Sequence, residues 1–352
     1  MATTFGIEEE FLLLDARTLA PVDDAMQAIA ELDGRHDGTV AAEFLRSQVE
    51  YATPVCTTMP EAIDALLGFR RLLGRWAADA GVVAAGTGTP PAGQTLAVIS
   101  EGERYAEISA EVTSLTDDHQ IGGLHVHVGV DRDLRVRASN ALRGWLPVLL
   151  ALSANSPFWN GRDTGYDSWR AIHSRRWTTY GIPPAFRDDD DYVRTVAALV
   201  GIGATTDARA LNWNVRLSTV FPTVEVRVCD AQLDAASSVA LAVIIRALVD
   251  AADDEGMSRT DHAPWDAALW HAARHGVRGT LVDPRTGRLA PASDVLRALL
   301  DRVAPHLNGS ETRAVTAMLD RRRSGAARQR AARDHGTAAL AELYRKRLDQ
   351  RP

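Results

Sequence analysis

A chain of 352 residues, 46% hydrophobic and 24% charged, carries enough apolar material for one large domain or two ordinary ones, in the proportions of a soluble globular protein. A formal net charge of −7 argues against a general nucleic-acid binder, and an anionic substrate would need local help from metals or arginines. Two cysteines, Cys56 and Cys229, are too few for a disulfide framework, so the chain reads as cytoplasmic, and no apolar run reads as a membrane span.

The first predicted strand, residues 5–15, holds Glu8, Glu9 and Glu10 between apolar residues. Side chains alternate along a strand, so Glu8 and Glu10 share one face and Glu9 takes the other. Carboxylates about 7 Å apart on one face repel, which a solvated edge strand tolerates and bound divalent cations remove. Residues 23–32 have helical spacing. Residues 40–53 read as a second acidic strand with Glu43, Gln48 and Glu50, the last two on one face. An amphipathic helix over 60–80 and a buried strand over 82–85 follow. The loop 86–91 is glycine-rich but lacks the lysine and helix of a P-loop, so it reads as a turn.

Residues 101–114 predict a polar helix. The strand 122–130 then puts His125 and His127 on one face, with Leu124, Val126 and Val128 on the buried one. Zinc would suit a histidine pair, but no cysteine or third histidine lies nearby, and with carboxylates as partners magnesium or manganese fits better. Residues 138–152 predict an apolar helix. The stretch 162–186 is irregular, rich in arginine and aromatics, and reads as a substrate-facing loop in which Arg162, Arg170, Arg175 and Arg176 could meet anions. Acidic residues 188–191 cap a helix over 192–200. The strand 211–218 places Asn212, Asn214 and Arg216 on one face, and 223–230 pairs Glu225 with Arg227, either as a structural ion pair or as a phosphate-directed fork. Helices are expected over 233–252, 265–275, 294–304 and 311–319. Basic residues 321–323 and 328–330 read as a solvated face that could also reach phosphate. No linker or repeat appears, so 1–352 reads as one domain with a helical C-terminal part.

Glu8, Glu10, Gln48, Glu50, His125, His127, Asn212, Asn214, Glu225 and Arg227 thus recur on the polar faces of successive strands. Sheets normally bury apolar residues or expose polar ones to water. This set instead suits a concave sheet that holds cations and an anion, as phosphoryl transfer requires.

The motifs Gly6-Ile7-Glu8-Glu9-Glu10-Phe11, Gln48-Val49-Glu50, Gly123-Leu124-His125-Val126-His127-Val128-Gly129 and Thr223-Val224-Glu225-Val226-Arg227 resemble, in this order, the carboxylate–amine ligase family, also described as glutamate–cysteine ligase type 2. The resemblance continues through Ser156-Pro157-Phe158-Trp159 and Ala273-Arg274-His275-Gly276 to Gln329-Arg330. It implies an α+β fold, a curved and mainly antiparallel sheet packed with helices like the catalytic part of glutamine synthetase. It also implies ATP and Mg2+ (or Mn2+) as cofactors, small-molecule acid and amine substrates, and an acyl-phosphate route to an amide; a homo-oligomer is compatible with it. Carried over residue by residue, Glu8, Glu10, Glu50, His125 and Glu225 match metal ligands and Arg227 the catalytic residue that neutralises the phosphoryl group. Glu43, Gln48, His127, Arg162, Arg170, Asn212 and Asn214 stand as candidates for binding substrate or nucleotide. The loop 86–90 lacks the histidine that family members often carry there, and Trp270-His271 replaces a common acidic–asparagine pair. These departures bear on the acid and amine, glutamate and cysteine by default. A metal-dependent hydrolase without ATP and a ligase-derived binding protein are the rival readings.

Overall fold

The computed structural model describes residues 3–93, 96–254, 263–320 and 323–350. Its centre is a seven-stranded antiparallel sheet built from β1 (Phe5–Asp15), β2 (Thr39–Ala42), β3 (Gln48–Ala52), β4 (Val82–Ala85), β5 (Gly123–Gly129), β8 (Val215–Leu217) and β9 (Thr223–Asp230). The order is β2-β3-β1-β5-β9-β8, with β4 paired to the far end of β1. A two-stranded ribbon, β6 (Phe158–Trp159) with β7 (Arg162–Asp163), and a hairpin, β10 (Thr280–Asp283) with β11 (Arg288–Pro291), lie off the sheet. Helices and antiparallel sheet form the expected mixed architecture.

Alternation along β1 divides the molecule. Phe5, Ile7, Phe11 and Leu13 enter the main hydrophobic core with the helices Met59–Asp79 and Ala235–Asp250 behind the sheet. Towards its end β1 is covered on the other side too, because Leu12 and Leu14 pack with Leu340 and Tyr344 of the last helix, Thr337–Leu348. The polar face is therefore open only around Glu8 and Glu10.

Glu9 points backward, as the alternation predicts. Its carboxylate takes Arg70 Nε at 2.8 Å and Nη2 at 2.6 Å, and it also accepts from the Ser238 hydroxyl. Arg70 further donates to the Gln232 and Leu233 carbonyls, so one fully buried ion pair ties β1 to both back helices. The helix Met59–Asp79 starts where Thr58 and Glu61 cap each other's backbone N–H groups.

Several predicted boundaries shift. Residues 40–53 form a hairpin, β2 and β3, rather than one strand. The helix expected over 138–152 is two, Arg135–Leu142 and Leu146–Ser153, joined by a tighter turn at Arg143–Trp145, just ahead of Pro147, which lacks an N–H to continue the ladder. The irregular stretch 162–186 contains the short helix Trp169–His173. Only Val215–Leu217 of the strand 211–218 pairs regularly. Among the described residues no helix is long and apolar enough to cross a membrane.

Candidate active site

The sheet register brings the polar residues into one diagonal row. Glu10 stands opposite Glu50, Glu8 opposite His125, His127 opposite Glu225, and Glu225 opposite Arg216. Between β5 and β9 the register slips: Leu124 faces Cys229 while Val126 faces Val226, so Arg227 and Val228 together oppose His125. That is a β-bulge, which re-aims side chains where it occurs. Arg170 holds it, donating from Nη2 to the Arg227 carbonyl (3.2 Å) and from Nη1 to the Val228 carbonyl (3.4 Å).

His125 lies 3.3 Å from Glu8 through Nδ1 and 3.5 Å from Glu10 through Nε2. His127 Nε2 lies 3.1 Å from Glu8, and its Nδ1 is 3.1 Å from the Thr223 hydroxyl. Glu225 accepts Arg216 Nε at 2.6 Å and Nη2 at 3.1 Å and also pairs with Arg227. Arg227 Nη1 in turn sits 3.4 Å from His125 Nδ1.

The carboxylates fall into two electrostatic groups. Burial alone would raise Glu8, but hydrogen bonds and charge from His125 and His127 hold it well below the usual range. Burial of Glu225 is likewise overcome by Arg227 and Arg216. For Glu43 and Glu50 the help from Arg227 is outweighed: burial, and then the neighbouring carboxylates, push Glu43 up to about 7 and raise Glu50 well above its ordinary value. Burial and then Arg227 lower His125.

Two sets of ligand atoms lie within 4.8 Å of one another, Glu8–His125–Glu225 and Glu10–Glu50–His125. They supply hard carboxylate oxygens and one shared imidazole, the donor chemistry of magnesium or manganese rather than a thiolate metal. Burial and neighbouring carboxylates disfavour the charged form of Glu50, and a cation bound there would favour it, so the residues fit a divalent ion.

The row floors a cavity of about 480 Å³. Glu43, Gln48, His127, Arg170, Asn212 and Asn214 all line it with the ligand sets and Arg227. Asn214 is buried, and its side-chain oxygen has no hydrogen-bond partner among the described residues. Arg162 is the exception: it is exposed on β7, away from the cavity, because the loop turns back as the β6–β7 ribbon. Nor do the neighbouring arginines point inward, since Arg175 pairs with Asp266 and Arg176 with Asp118. In the C-terminal basic patch Arg328 pairs with Asp234 and Arg330 with Asp163 and Asp167; residues 321 and 322 lie outside the described residues. Sequence reasoning did not single out Phe44, Tyr105 and Ile108, which wall the cavity together with Trp177 from the stretch read as substrate-facing. The only signal of the first three was an aromatic or aliphatic residue in otherwise polar segments.

The model of glutamate–cysteine ligase family 2 matches residues 4–347. The "Putative glutamate--cysteine ligase 2-2" of Saccharopolyspora erythraea is 44% identical over 314 residues, 86% of this chain and 80% of that protein. The chain belongs to glutamate–cysteine ligase family 2. A like-named 2-1 protein of Rhodococcus jostii is 40% identical over 349 residues, covering 93% of this chain and 90% of the relative. In fold, the family member superposes on a Francisella tularensis glutamate–cysteine ligase solved with AMP, at a TM-score of 0.74 and 13% identity, over 100% of this chain and 90% of that one. A bifunctional glutathione synthetase from Pasteurella multocida gives 0.73 at 15% identity, over 99% and 53%. Membership in glutamate–cysteine ligase family 2 makes the chain an ATP-dependent carboxylate–amine ligase.

Proposed function

We propose that this ligase joins the side-chain carboxylate of glutamate to the amine of cysteine through an acyl phosphate, the substrate pair being the one its relatives' names carry. A carboxylate oxygen attacks the γ-phosphorus of ATP, the bond to the β-phosphate oxygen breaks, and ADP leaves. The amine then attacks the acyl carbon, phosphate departs with the carboxylate oxygen, and the amine loses a proton as the amide forms.

The observation that supports this reading most is the meeting of Arg227 with His125 and Glu225 at the bulge. Arg227 is oriented from three sides, by Glu225, by the bulge and by Arg170 beneath its carbonyl, so its guanidinium is preorganised for a phosphoryl group. Glu8, Glu10, Glu50, His125 and Glu225 would hold magnesium or manganese, which supplies charge neutralisation to the ATP phosphates. Gln48, His127, Asn212 and Asn214 offer donors and acceptors for orienting substrates, and Arg170 contributes charge from beneath. We take residues 1–352 as one catalytic unit working in the cytoplasm.

The test is ADP release with 18O-labelled glutamate, read with product mass. The reading requires ADP formation dependent on the acid, an amide of the summed mass and 18O in the released phosphate. Turnover without ATP would make the same residues a water-activating hydrolase, and nucleotide binding with no turnover on any acid and amine would make the chain a binding protein.

A further inference from the structure

Arg170 holds the bulge at Arg227, and its own place is set by a chain of hydrogen bonds that begins and ends on β9. At the end of that strand stands Asp230, whose side chain is fully buried. Its Oδ2 accepts from the Asn155 N–H at 2.9 Å and from the Ser156 hydroxyl at 2.6 Å, and its Oδ1 accepts from the Ser168 hydroxyl at 2.9 Å. A hydroxyl that donates its one proton keeps its lone pairs free to accept. Ser156 Oγ accepts the Arg170 N–H at 3.1 Å, and Ser168 Oγ accepts the Ala171 N–H at 3.2 Å. Both are among the first N–H groups of the helix Trp169–His173, which have no partner within the helix. From that helix the Arg170 guanidinium returns to β9, at the carbonyls of Arg227 and Val228.

We propose that Asp230 is a positioning residue for phosphoryl transfer: through the hydroxyls of Ser156 and Ser168 it fixes Arg170, and through Arg170 the aim of Arg227. The inference rests on the reading that Arg227 meets the phosphoryl group. It extends that reading to residues that do not reach the substrate, since Asp230, Ser156 and Ser168 lie outside the cavity lining. A guanidinium stabilises a transition state best where its position is fixed beforehand. Asp230 meets all three donors as an acceptor, and so turns both hydroxyl lone pairs towards the helix. An asparagine could not, because its amide nitrogen would face a donor.

Two close approaches make room for this chain of contacts. A Cβ at Gly88 would fall 2.7 Å from Asp230 Cγ and 2.9 Å from Ser156 Cβ, so the glycine-rich loop 86–91 admits the buried carboxylate. A Cβ at Gly123, which pairs with Asp230 across β5 and β9, would fall 2.7 Å from Arg170 Nη2 and 2.9 Å from His125 Nε2. A glycine there lets the guanidinium pass to the bulge. The motif Ser156-Pro157-Phe158-Trp159 supplies no residue to the cavity lining, and Ser156 gives it a part in the same arrangement.

Single-turnover ADP formation with glutamate and ATP is measured on wild type, Asp230→Asn, Ser156→Ala, Ser168→Ala, Arg170→Met and the double variant Asp230→Asn with Arg170→Met. ATP affinity by calorimetry and melting temperature are taken on the same preparations. Asp230→Asn should slow ADP formation about 10- to 100-fold, the range for an outer residue that orients an inner one. Each serine variant should fall at the lower end of that range with ATP affinity unchanged. Added to Arg170→Met, Asp230→Asn should slow the step by no more than about twofold further, because both act through one guanidinium. A lower melting temperature and turnover amplitude with an unchanged rate constant would mark a merely structural role and overturn the inference. Folded serine variants that form ADP at the wild-type rate would overturn it too, whether or not Asp230→Asn folds, as would a double variant slowed by the product of the two single effects. Arg227→Ala in the same series separates the two layers. Normal ADP formation there defeats the reading of Arg227, and the inference with it, whereas a slow Arg227→Ala beside normal serine variants defeats the inference alone.

Discussion

Glu10 and Glu50 face each other directly across β1 and β3 on the cavity side of the sheet. Like charges at directly opposed positions destabilise a sheet. Burial first, and then the charges of Glu43, Glu8 and Glu10, raise the Glu50 carboxyl well above its ordinary value.

The sign of the resulting pH dependence is fixed. Glu43 and Glu50 have folded-state values above the unfolded 4.5, so their contribution is fully present below pH 4.5; that of Glu43 is lost as pH rises through about 7 and that of Glu50 as pH rises through its own raised value. Metal-free Glu50→Gln should therefore melt close to wild type near pH 4.5 and increasingly above it as the pH rises into the alkaline range. Magnesium should stabilise wild type at that higher pH, and Glu50→Gln or Glu10→Gln much less. An equal gap between wild type and Glu50→Gln at both pH values would show that the opposed carboxylates carry no such strain.

A second pH effect runs the other way and comes from outside the ligand row. Burial, and then the charge of neighbouring Arg176, lowers His173 to about 4; burial, and then His173, lowers His119. Their folded-state values lie below the unfolded 6.5, so the stability they contribute is present above that pH and is lost as pH falls towards 4. Replacing His173 by Phe should flatten the acid limb of a stability–pH curve measured by urea unfolding. A limb as steep as wild type would assign the acid sensitivity elsewhere.

On the back of β1 the third carboxylate behaves differently. Glu9 and Arg70 are both fully buried, so Arg70→Met leaves an unpaired charge and should cost about 3–5 kcal/mol in urea unfolding. Adding Glu9→Gln to that variant should recover a large part of the loss. If the double variant is no more stable than Arg70→Met, packing rather than charge governs the site.

The sequence showed the row because strand alternation has a period of two: Glu8 with Glu10, His125 with His127, and Glu225 with Arg227 could be paired by counting. It could not show the bulge, since nothing in the string Val226-Arg227-Val228-Cys229 marks an extra residue; only the partner strand does. For the same reason Arg216 was placed on the right face but not seen as the cross-strand partner of Glu225. Arg162 failed because a long irregular stretch gives no periodicity from which to read direction, and the ribbon β6–β7 turns it outward. The Tyr105 wall stayed hidden because its residues come from three distant segments and meet only in the folded chain.

The account depends most on Arg227 acting on the phosphoryl group rather than serving as an ion-pair partner. Glu225 keeps its two hydrogen bonds from Arg216 when Arg227 is removed, so Arg227→Ala does not strand a buried carboxylate and should remain folded. The deciding measurement is single-turnover ADP formation on wild type, Arg227→Lys and Arg227→Ala, with ATP affinity and melting temperature taken on the same preparations. The account predicts modest losses in ATP affinity, ADP formation slower by about 10³ or more in Arg227→Ala, and partial rescue by lysine, which keeps the charge without the planar fork. Arg227→Ala protein that forms ADP at near wild-type rate would contradict it.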